Sequence, residues 1–426
     1  MSNIFDEWKW RGLLFDNTEE AEKLLSSEKV VAYNGFDPTA DSLHVGNLLP
    51  MIGLARLQRY GHQPIALAGG GTGMIGDPSG RSTERNLLTP DEIVHNVEQI
   101  KIQLGMVLDF DSKTNPARIV NNMDWLSELS MIEFLRDTGK HFSVNYMTSK
   151  DSVKSRLDRE SGLSYTEFSY MLLQAYDFLH LYRTFGCKLQ AGGSDQWGNI
   201  TAGTTLVRKV EGVPVQAVVY PLITRSDGSK FGKTADGDSV WLDPNRTSPY
   251  RFYQFFLNTE DDKVLEMLRF YTFLLQEEIG EYEVAVQERP HLREAQKRLA
   301  HEVTSLLHGE EGLKKATTAT DVFFGGELVG LGAGEVEDIF ADVPSGTVEK
   351  ETLSGEGVPL ANLLADVGVA KSRGEARRLL GNGGIYLNNI QVNDPTQGVT
   401  LDQSIDGQFM VIRKGKKSYH LVKIVS

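Results

Sequence analysis

The 426-residue chain has a single cysteine, Cys187, so no disulfide can form within it, which fits a reducing compartment. No apolar run approaches the ~20 residues a helix needs to span a bilayer. The start, Met1-Ser2-Asn3-Ile4-Phe5-Asp6-Glu7, lacks a basic stretch followed by an apolar one, and no secretory leader is expected. No His/Cys cluster has zinc-ligand spacing, so no metal held by the protein itself is expected. Basic side chains are the minority: 44 Lys/Arg against 58 Asp/Glu give a net charge of −14, which argues at first against nucleic acid. These absences leave a cytoplasmic globular protein. Its 40% apolar residues suffice for a large core and two or three domains.

The charge is unevenly spread. Residues 358–426 carry nine Lys/Arg and five Asp/Glu, a net of +4, leaving −18 on the rest. A slightly basic domain on an acidic body suits a nucleic-acid-facing tail, although charge alone favours a small basic domain with no such partner.

Short apolar runs alternate with helix-like segments between residues 29 and 225. The strand candidates are Val30 to Tyr33, Ile65 to Ala68, Arg118 to Val120, Lys188 to Ala191 and Gln216 to Val219. Thr89-Pro90-Asp91-Glu92 has the cap, first-turn proline and returning carboxylate of a helix start. Alternating βα units predict an α/β fold with a doubly wound parallel sheet and ligands at its strand C-termini. From Ser248-Pro249 to about residue 324 the pattern is helical. Residues 325–357, rich in Gly, Glu and Asp, are expected to be a linker. Beyond it, Leu360 to Asp366 and Ser372 to Leu380 predict short helices, and Asn388-Asn389 centres a hairpin.

Four stretches carry chemistry. The first runs from Phe36 to Asn47 between a strand and a helix. Gly46 permits close approach, His44 and Asn47 can donate to phosphate oxygens, and the helix start adds free N–H groups. A lone histidine is by default a satisfied core residue; Pro38, Gly46 and Asn47 beside it favour function. The second is the glycine-rich Gly69 to Gly80, where Asp77 can meet an ammonium group and Arg81 and Arg85 follow. In the third, Tyr170, Gln174 and Asp177 share one helical face, either a binding surface or an exposed polar side. The fourth is Gly192-Gly193-Ser194-Asp195-Gln196-Trp197, where Asp195 suits a ribose hydroxyl and Ser194 or Asp195 equally suits a helix cap.

The His44-to-Asn47 loop and the downstream Lys230-Phe231-Gly232-Lys233-Thr234, in this order, resemble the HIGH and KMSKS motifs of class I aminoacyl-tRNA synthetases. With Tyr33 to Thr39, the Gly76-to-Gly80 loop, Phe168 to Asp177 and Gly192 to Asn199, the chain resembles bacterial-type tyrosyl-tRNA synthetases over nearly its whole length. Asn47 stands where that family usually has a second histidine.

The resemblance implies a Rossmann-like catalytic domain over 1–225, the KMSKS-like loop and helical domain over 226–324, the linker, and a small α+β S4-like RNA-binding domain over 358–426. It implies L-tyrosine, ATP with Mg²⁺, and tRNA(Tyr) as partners of a cytoplasmic homodimer with no membrane association. His44, Asn47, Lys230, Lys233 and Thr234 would be catalytic. Tyr33 and Asp177 would hold the phenol, and Asp77, Tyr170 and Gln174 the amino group. Asp37, Thr39, His44, Gly46, Asn47, Gly193, Asp195, Gln196 and Lys233 would line ATP. Lys371, Arg373, Arg377 and Arg378 would meet tRNA, as would Arg413, Lys414, Lys416 and Lys417. Tryptophanyl-tRNA synthetase shares the architecture, but Tyr33 with Asp177 favours a phenol over an indole. A regulatory RNA-binding protein with a decayed synthetase domain is the rival of another class, and intact His44, Lys230 and Lys233 speak against it.

Overall fold

The computed structural model describes residues 3–79, 87–157, 162–224, 226, 228, 231–232, 238–328, 330–341, 343–415 and 418–425. The chain divides into two compact units, Met1–Thr247 with Phe255–Leu307, and Ser248–Gln254 with His308–Ser426.

The first unit is built on six strands: β1 (Asp16–Asn17), β2 (Val31–Phe36), β3 (Gln63–Ala68), β4 (Arg118–Asn121), β5 (Cys187–Gly193) and β6 (Gln216–Tyr220). Their order is β1-β6-β5-β2-β3-β4. All neighbours run parallel except the short edge strand β1, which pairs antiparallel with β6. All five expected strands are present; β1 was not anticipated, because two polar residues carry no apolar pattern. The chain winds outward from β2 in one direction through β3 and β4, then returns to the other side of β2 with β5 and β6. The reversal opens a crevice at the C-terminal ends of β2 and β5, where an open parallel sheet binds ligands.

Local chemistry sets the helices that flank this crevice. His44 caps the helix Val45–Arg59 and forms a reciprocal capping box with Asn47. The expected box at Pro90–Leu104 forms as well, with Thr89 Oγ1 accepting from the Glu92 N–H and Glu92 from the Thr89 N–H. Ser164 caps the helix Tyr165–Phe185, and Gly186, at φ 67°, ends it. Between that helix and the sheet, Tyr33, Ile65, Met171, Phe178 and Leu206 form a buried core.

Four helices fill the stretch from 248 to 324: Pro249–Leu257, Val264–Tyr271, Gln276–Glu288 and Glu294–Phe323. The last is broken at Gly309, whose φ of 65° and ψ of −176° lie outside helical space. In the second unit the segment expected to be a linker contains a helix, Ala333–Ile339, and a strand, Ser345–Glu349. That strand pairs parallel with Ser418–Val425 in a five-stranded sheet. Gly346, Glu349 and a largely exposed face hid it: only Gly346 and Val348 are partly covered. The helices Leu360–Asp366 and Arg373–Gly381 lie where expected. So does the hairpin of Ile385–Leu387 with Ile390–Val392. Asn388 and Asn389, at φ 49° and 62°, turn it with the two positive φ values a two-residue loop requires.

Gly53 on the Val45–Arg59 helix faces β6. A Cβ there would lie 2.5 Å from the Tyr220 hydroxyl oxygen and 2.7 Å from Cζ of the same buried ring. Replacing a helical glycine gains at most ~1 kcal/mol of propensity, whereas overpacking costs ~1–3 kcal/mol. Gly53→Val should therefore lower the urea midpoint of the first unit's transition by an amount equal to about 2 kcal/mol. An unchanged midpoint would contradict the close approach.

Candidate functional site

The crevice is lined by a continuous hydrogen-bond relay. Asp37, just beyond β2, accepts from the Tyr170 hydroxyl at 2.7 Å and from Thr72 Oγ1 at 2.7 Å. Thr72 in turn accepts from Asn122 Nδ2 at 2.9 Å, and the second hydrogen of that amide goes to Asp177 Oδ2 at 2.9 Å. Trp125 Nε1 donates to the other Asp177 oxygen at 2.8 Å. Asn122 Oδ1 accepts from the Gly71 N–H at 2.7 Å, so both amide hydrogens and the oxygen of this side chain are engaged. Glycine is required at position 69, since a Cβ there would lie 2.1 Å from Asp37 Oδ1.

Tyr170, Gln174 and Asp177 face inward, which rules out the exposed polar side as their role. Tyr170 and Asp177 are buried, and Gln174 Oε1 is buried without a partner. Burial pushes the Asp177 carboxyl up to about 7, against the Asn122 and Trp125 hydrogen bonds that favour its charged form, while the charge of Asp37 raises it further. Tyr33 is buried with its ring edge-on to Phe178, and its hydroxyl has no partner. Burial, with the nearby Asp177 charge, holds that phenol well above its ordinary pKa. Burial and Asp37 do the same to Tyr170. A carboxylate has about four acceptor positions, so Asp177 retains room for a ligand donor.

The second and fourth stretches meet at Asp77. Its oxygens accept from the Ser79 N–H at 2.9 Å, Gln196 Nε2 at 2.6 Å and Asn199 Nδ2 at 3.4 Å. Asp195 is exposed, with Gly193 beside it: a Cβ at Gly193 would be 2.6 Å from Asp195 Oδ1.

On the other side lies the loop that opens the Val45–Arg59 helix. His44 Nδ1 accepts from the Gly46 N–H at 3.0 Å, which places the neutral ring's proton on Nε2. The His44 N–H donates to Asn47 Oδ1 at 3.1 Å, leaving the Asn47 amide hydrogens as donors. Thr39 is exposed nearby, with its N–H on the Asp37 carbonyl. Lys230, Lys233, Thr234, Arg81 and Arg85 lie outside the described residues. Two neighbours of the lysines are described. Phe231 packs against Phe255, Phe256 and Tyr271, with ring centroids 4.9–6.0 Å apart. At Gly232 (φ 104°) a Cβ would come within 3.3 Å of the Gly46 nitrogen. The two signature loops, far apart in the chain, therefore touch. A strap after the second loop reinforces this: the Leu242 N–H donates to the Leu43 carbonyl, the Val45 N–H to Val240, and Arg246 pairs with Asp41.

Asn122, Trp125 and Thr72 were not assigned from the sequence. The available signal was the Asn121-Asn122 pair at the C-terminal end of a predicted strand. In the second unit, Lys371, Arg373, Arg377 and Arg378 are exposed along one short helix and its start. Arg413 is instead held over the Tyr386 ring at 3.6 Å and bonded to Asn389, and Lys414 lies 3.8 Å from Glu375. Lys416 and Lys417 lie outside the described residues.

A sequence-family model described as class I tRNA synthetases (W and Y) matches residues 25–325, and a tyrosine–tRNA ligase SYY-like C-terminal domain matches 335–422. The tyrosine–tRNA ligase of Roseiflexus castenholzii is 54% identical over 425 residues, covering 100% of both chains. That of Geobacillus stearothermophilus is 50% identical over 424 residues, covering 99% of each. Among solved structures, a C-terminally truncated mitochondrial tyrosyl-tRNA synthetase from Aspergillus nidulans superposes with a TM-score of 0.70 at 29% identity, covering 76% of this chain and 95% of that one.

The relay makes Asn122 the donor that connects Asp177 with Thr72 and, through it, Asp37. Asn122→Ala removes one hydrogen bond favouring the Asp177 carboxylate, so the Asp177 pKa should rise further above its ordinary value. A ¹³C-carboxyl NMR titration of wild type and variant measures the shift; no movement, or a fall, would refute the coupling.

Proposed function

We propose the following residue roles for a chain that belongs to the class I tRNA synthetases and is a tyrosine–tRNA ligase. Tyrosine attacks the α-phosphate of ATP to give tyrosyl-adenylate and pyrophosphate, and the tyrosyl group then passes to the 3′ end of tRNA(Tyr). The observation that carries the assignment of the amino-acid pocket is Asp177, buried and bonded on both oxygens, close to the unpartnered Tyr33 hydroxyl. A substrate phenol donates to Asp177 and accepts from Tyr33, satisfying both. An indole has no acceptor and leaves Tyr33 unpaired, which is costly in a buried site. The handling of a hydroxyl in this way is the source of the ~10⁵-fold rejection of phenylalanine for which tyrosyl-tRNA synthetases serve as the standard example. Gln174 Oε1, Asp77 and the Tyr170 oxygen supply acceptors for the substrate ammonium.

Adenylate formation places developing charge on phosphate oxygens, so catalysis rests on positioning and electrostatics. His44 donates from Nε2 and Asn47 from its amide to the leaving pyrophosphate. Lys230, Lys233 and Thr234 approach from the second loop, which the contact of Gly232 with Gly46 supports. Asp37, Thr39, Gly46, Gly193, Asp195 and Gln196 frame the nucleotide, Asp195 through a ribose hydroxyl. Mg²⁺ enters with ATP, held by phosphates and water. The single cysteine, buried with its thiol pushed up to about 12, suits a cytoplasmic protein. A homodimer is supported by exposed apolar side chains, with Met131 at 72%, Ile132 at 67%, Val144 at 65% and Tyr165 at 73% exposure. Sedimentation equilibrium tests it, and a monomer at micromolar concentration would refute it.

ATP–pyrophosphate exchange, assayed with tyrosine and with tryptophan, tests the pocket. Asp177→Asn should lose roughly ten- to a hundredfold in tyrosine kcat/KM, since a hydrogen bond to a charged partner contributes ~1.5–3 kcal/mol. In the wild type, tyrosine kcat/KM should fall as pH drops below about 7, where Asp177 takes up its proton. A folded Asp177→Asn enzyme with normal tyrosine activation would overturn the assignment.

Replacing Lys371, Arg373, Arg377 and Arg378 together with alanine should spare pyrophosphate exchange and impair tRNA charging, and leaves the strand pairing of the second unit intact. These exposed cations would no longer neutralise tRNA phosphates, and wild-type binding should weaken more steeply with salt than that of the variant. Equal losses in both assays would refute the RNA-binding role of the tail.

A further inference from the structure

One side chain of the tyrosine half-site lies outside the roles described above. His180 is one turn beyond Asp177 on the Tyr165–Phe185 helix, and its imidazole lies flat on the Trp125 indole, with centroids 4.2 Å apart and planes 12° apart. Trp125 is the residue whose Nε1 donates to Asp177. It sits on a helix of only four residues, Met123–Leu126, too short to hold a large side chain by its own stability. Nε2 of His180 lies 3.3 Å from Thr184 Oγ1 on the same helix, which restrains the ring from behind. Arg183 on that helix and Glu128, just after the short helix, are the charged groups that act on it. Burial and Arg183 lower its pKa below the ordinary histidine value, against Glu128, so near pH 7 the stacked ring is neutral.

We propose that His180 is a positioning residue for tyrosine recognition: by clamping the Trp125 indole it holds the Nε1–H on Asp177 and keeps the remaining carboxylate lone pairs turned to the phenol. The argument is geometric. An indole can meet Asp177 with its N–H only in one rotation of the ring, and a parallel stack permits sliding in the plane while resisting rotation out of it. The outer face of Trp125 is covered by His180, and its inner edge is bonded to Asp177. Asp177, buried, has its charged form favoured by two donors, Asn122 and Trp125. Loosening one of them reduces both the order of the acceptor and the fraction of it that is ionised. His180 needs only a planar face for this role, not a proton.

This inference rests on Asp177 receiving the substrate phenol, and the test separates the two. His180→Ala should raise the tyrosine KM by about tenfold, the loss of much of one hydrogen bond to a charged group. Its ATP KM and its kcat at saturating tyrosine should stay within about twofold of wild type. The acid limb of tyrosine kcat/KM should move to higher pH, because the Trp125 N–H favours the carboxylate. His180→Phe keeps a planar face without a titrating nitrogen and should restore both the KM and the position of the limb. Should His180→Ala fail to fold, His180→Leu, similar in size but not planar, takes its place against His180→Phe. A wild-type tyrosine KM and limb in the non-planar variant would overturn the inference, and so would equal defects in the planar and non-planar variants. Asp177→Asn is measured alongside. If it too activates tyrosine normally, the phenol assignment itself has failed; if it is defective while His180→Ala is normal, only the role of His180 falls.

Discussion

The first unit is organised around a carboxylate that must be kept in a buried place. Asp177 lies within the core that joins the Tyr165–Phe185 helix to the sheet, and an unpaired charge there would be expelled by protonation or by unfolding. Among the described residues its hydrogen-bond partners include no cation. Instead, neutral donors carry the load: the Asn122 amide and the Trp125 indole, each fixed by further contacts. The result is a carboxyl that burial pushes up to about 7, well above the ordinary aspartate value. The nearby Tyr33 hydroxyl and Gln174 Oε1 are buried without a partner among the described residues, which supports the proposed role of this pocket in taking a ligand hydroxyl and ammonium.

The same relay joins Asp177 to Asp37, and so links the side chains proposed for the amino acid with one proposed for the nucleotide. Asn122 gives one hydrogen to Asp177 and the other to Thr72, and Thr72 passes its own to Asp37, at the mouth of the loop that leads to His44. Each donor in the series has one acceptor, so no member can rotate without leaving a buried group unpaired. Glycines at 69 and 232 serve this geometry in different ways. The first removes a Cβ that would collide with Asp37, and the second brings one signature loop against the other.

Much of this was legible in the chain. The alternation of apolar runs and capped helices announced a parallel sheet, and the sheet is there. Three of the four stretches occupy the end of a strand or the start of a helix, where backbone N–H groups and short polar side chains are free of ladder bonds; the other, Tyr170 to Asp177, is one face of the Tyr165–Phe185 helix. The hairpin at Asn388-Asn389 was equally readable, since few residue pairs accept two positive φ values. The strand Ser345–Glu349 was hidden for the opposite reason. Only Thr347 and Val348 of its five residues favour a strand, with Ser345, Gly346 and Glu349 around them, and the segment is held as one by pairing with Ser418–Val425.

Residue types and short-range spacing by themselves determined the fold class, the capped helices and the inventory of acids, amides and histidine that a tyrosine- and ATP-binding site needs. Only the tertiary structure decided which of them meet. Asn122 and Asp177 are 55 positions apart and Asp37 and Tyr170 are 133, separations over which no local rule acts. Strand order brings them together: β4, which ends just before Asn122, stands beside β3, β3 stands beside β2, and the helix carrying Tyr170, Gln174, Asp177 and His180 lies in the connection from β4 to β5. The partners of a buried charge are chosen by that topology. A sequence names the groups able to donate, but burial decides which of them must.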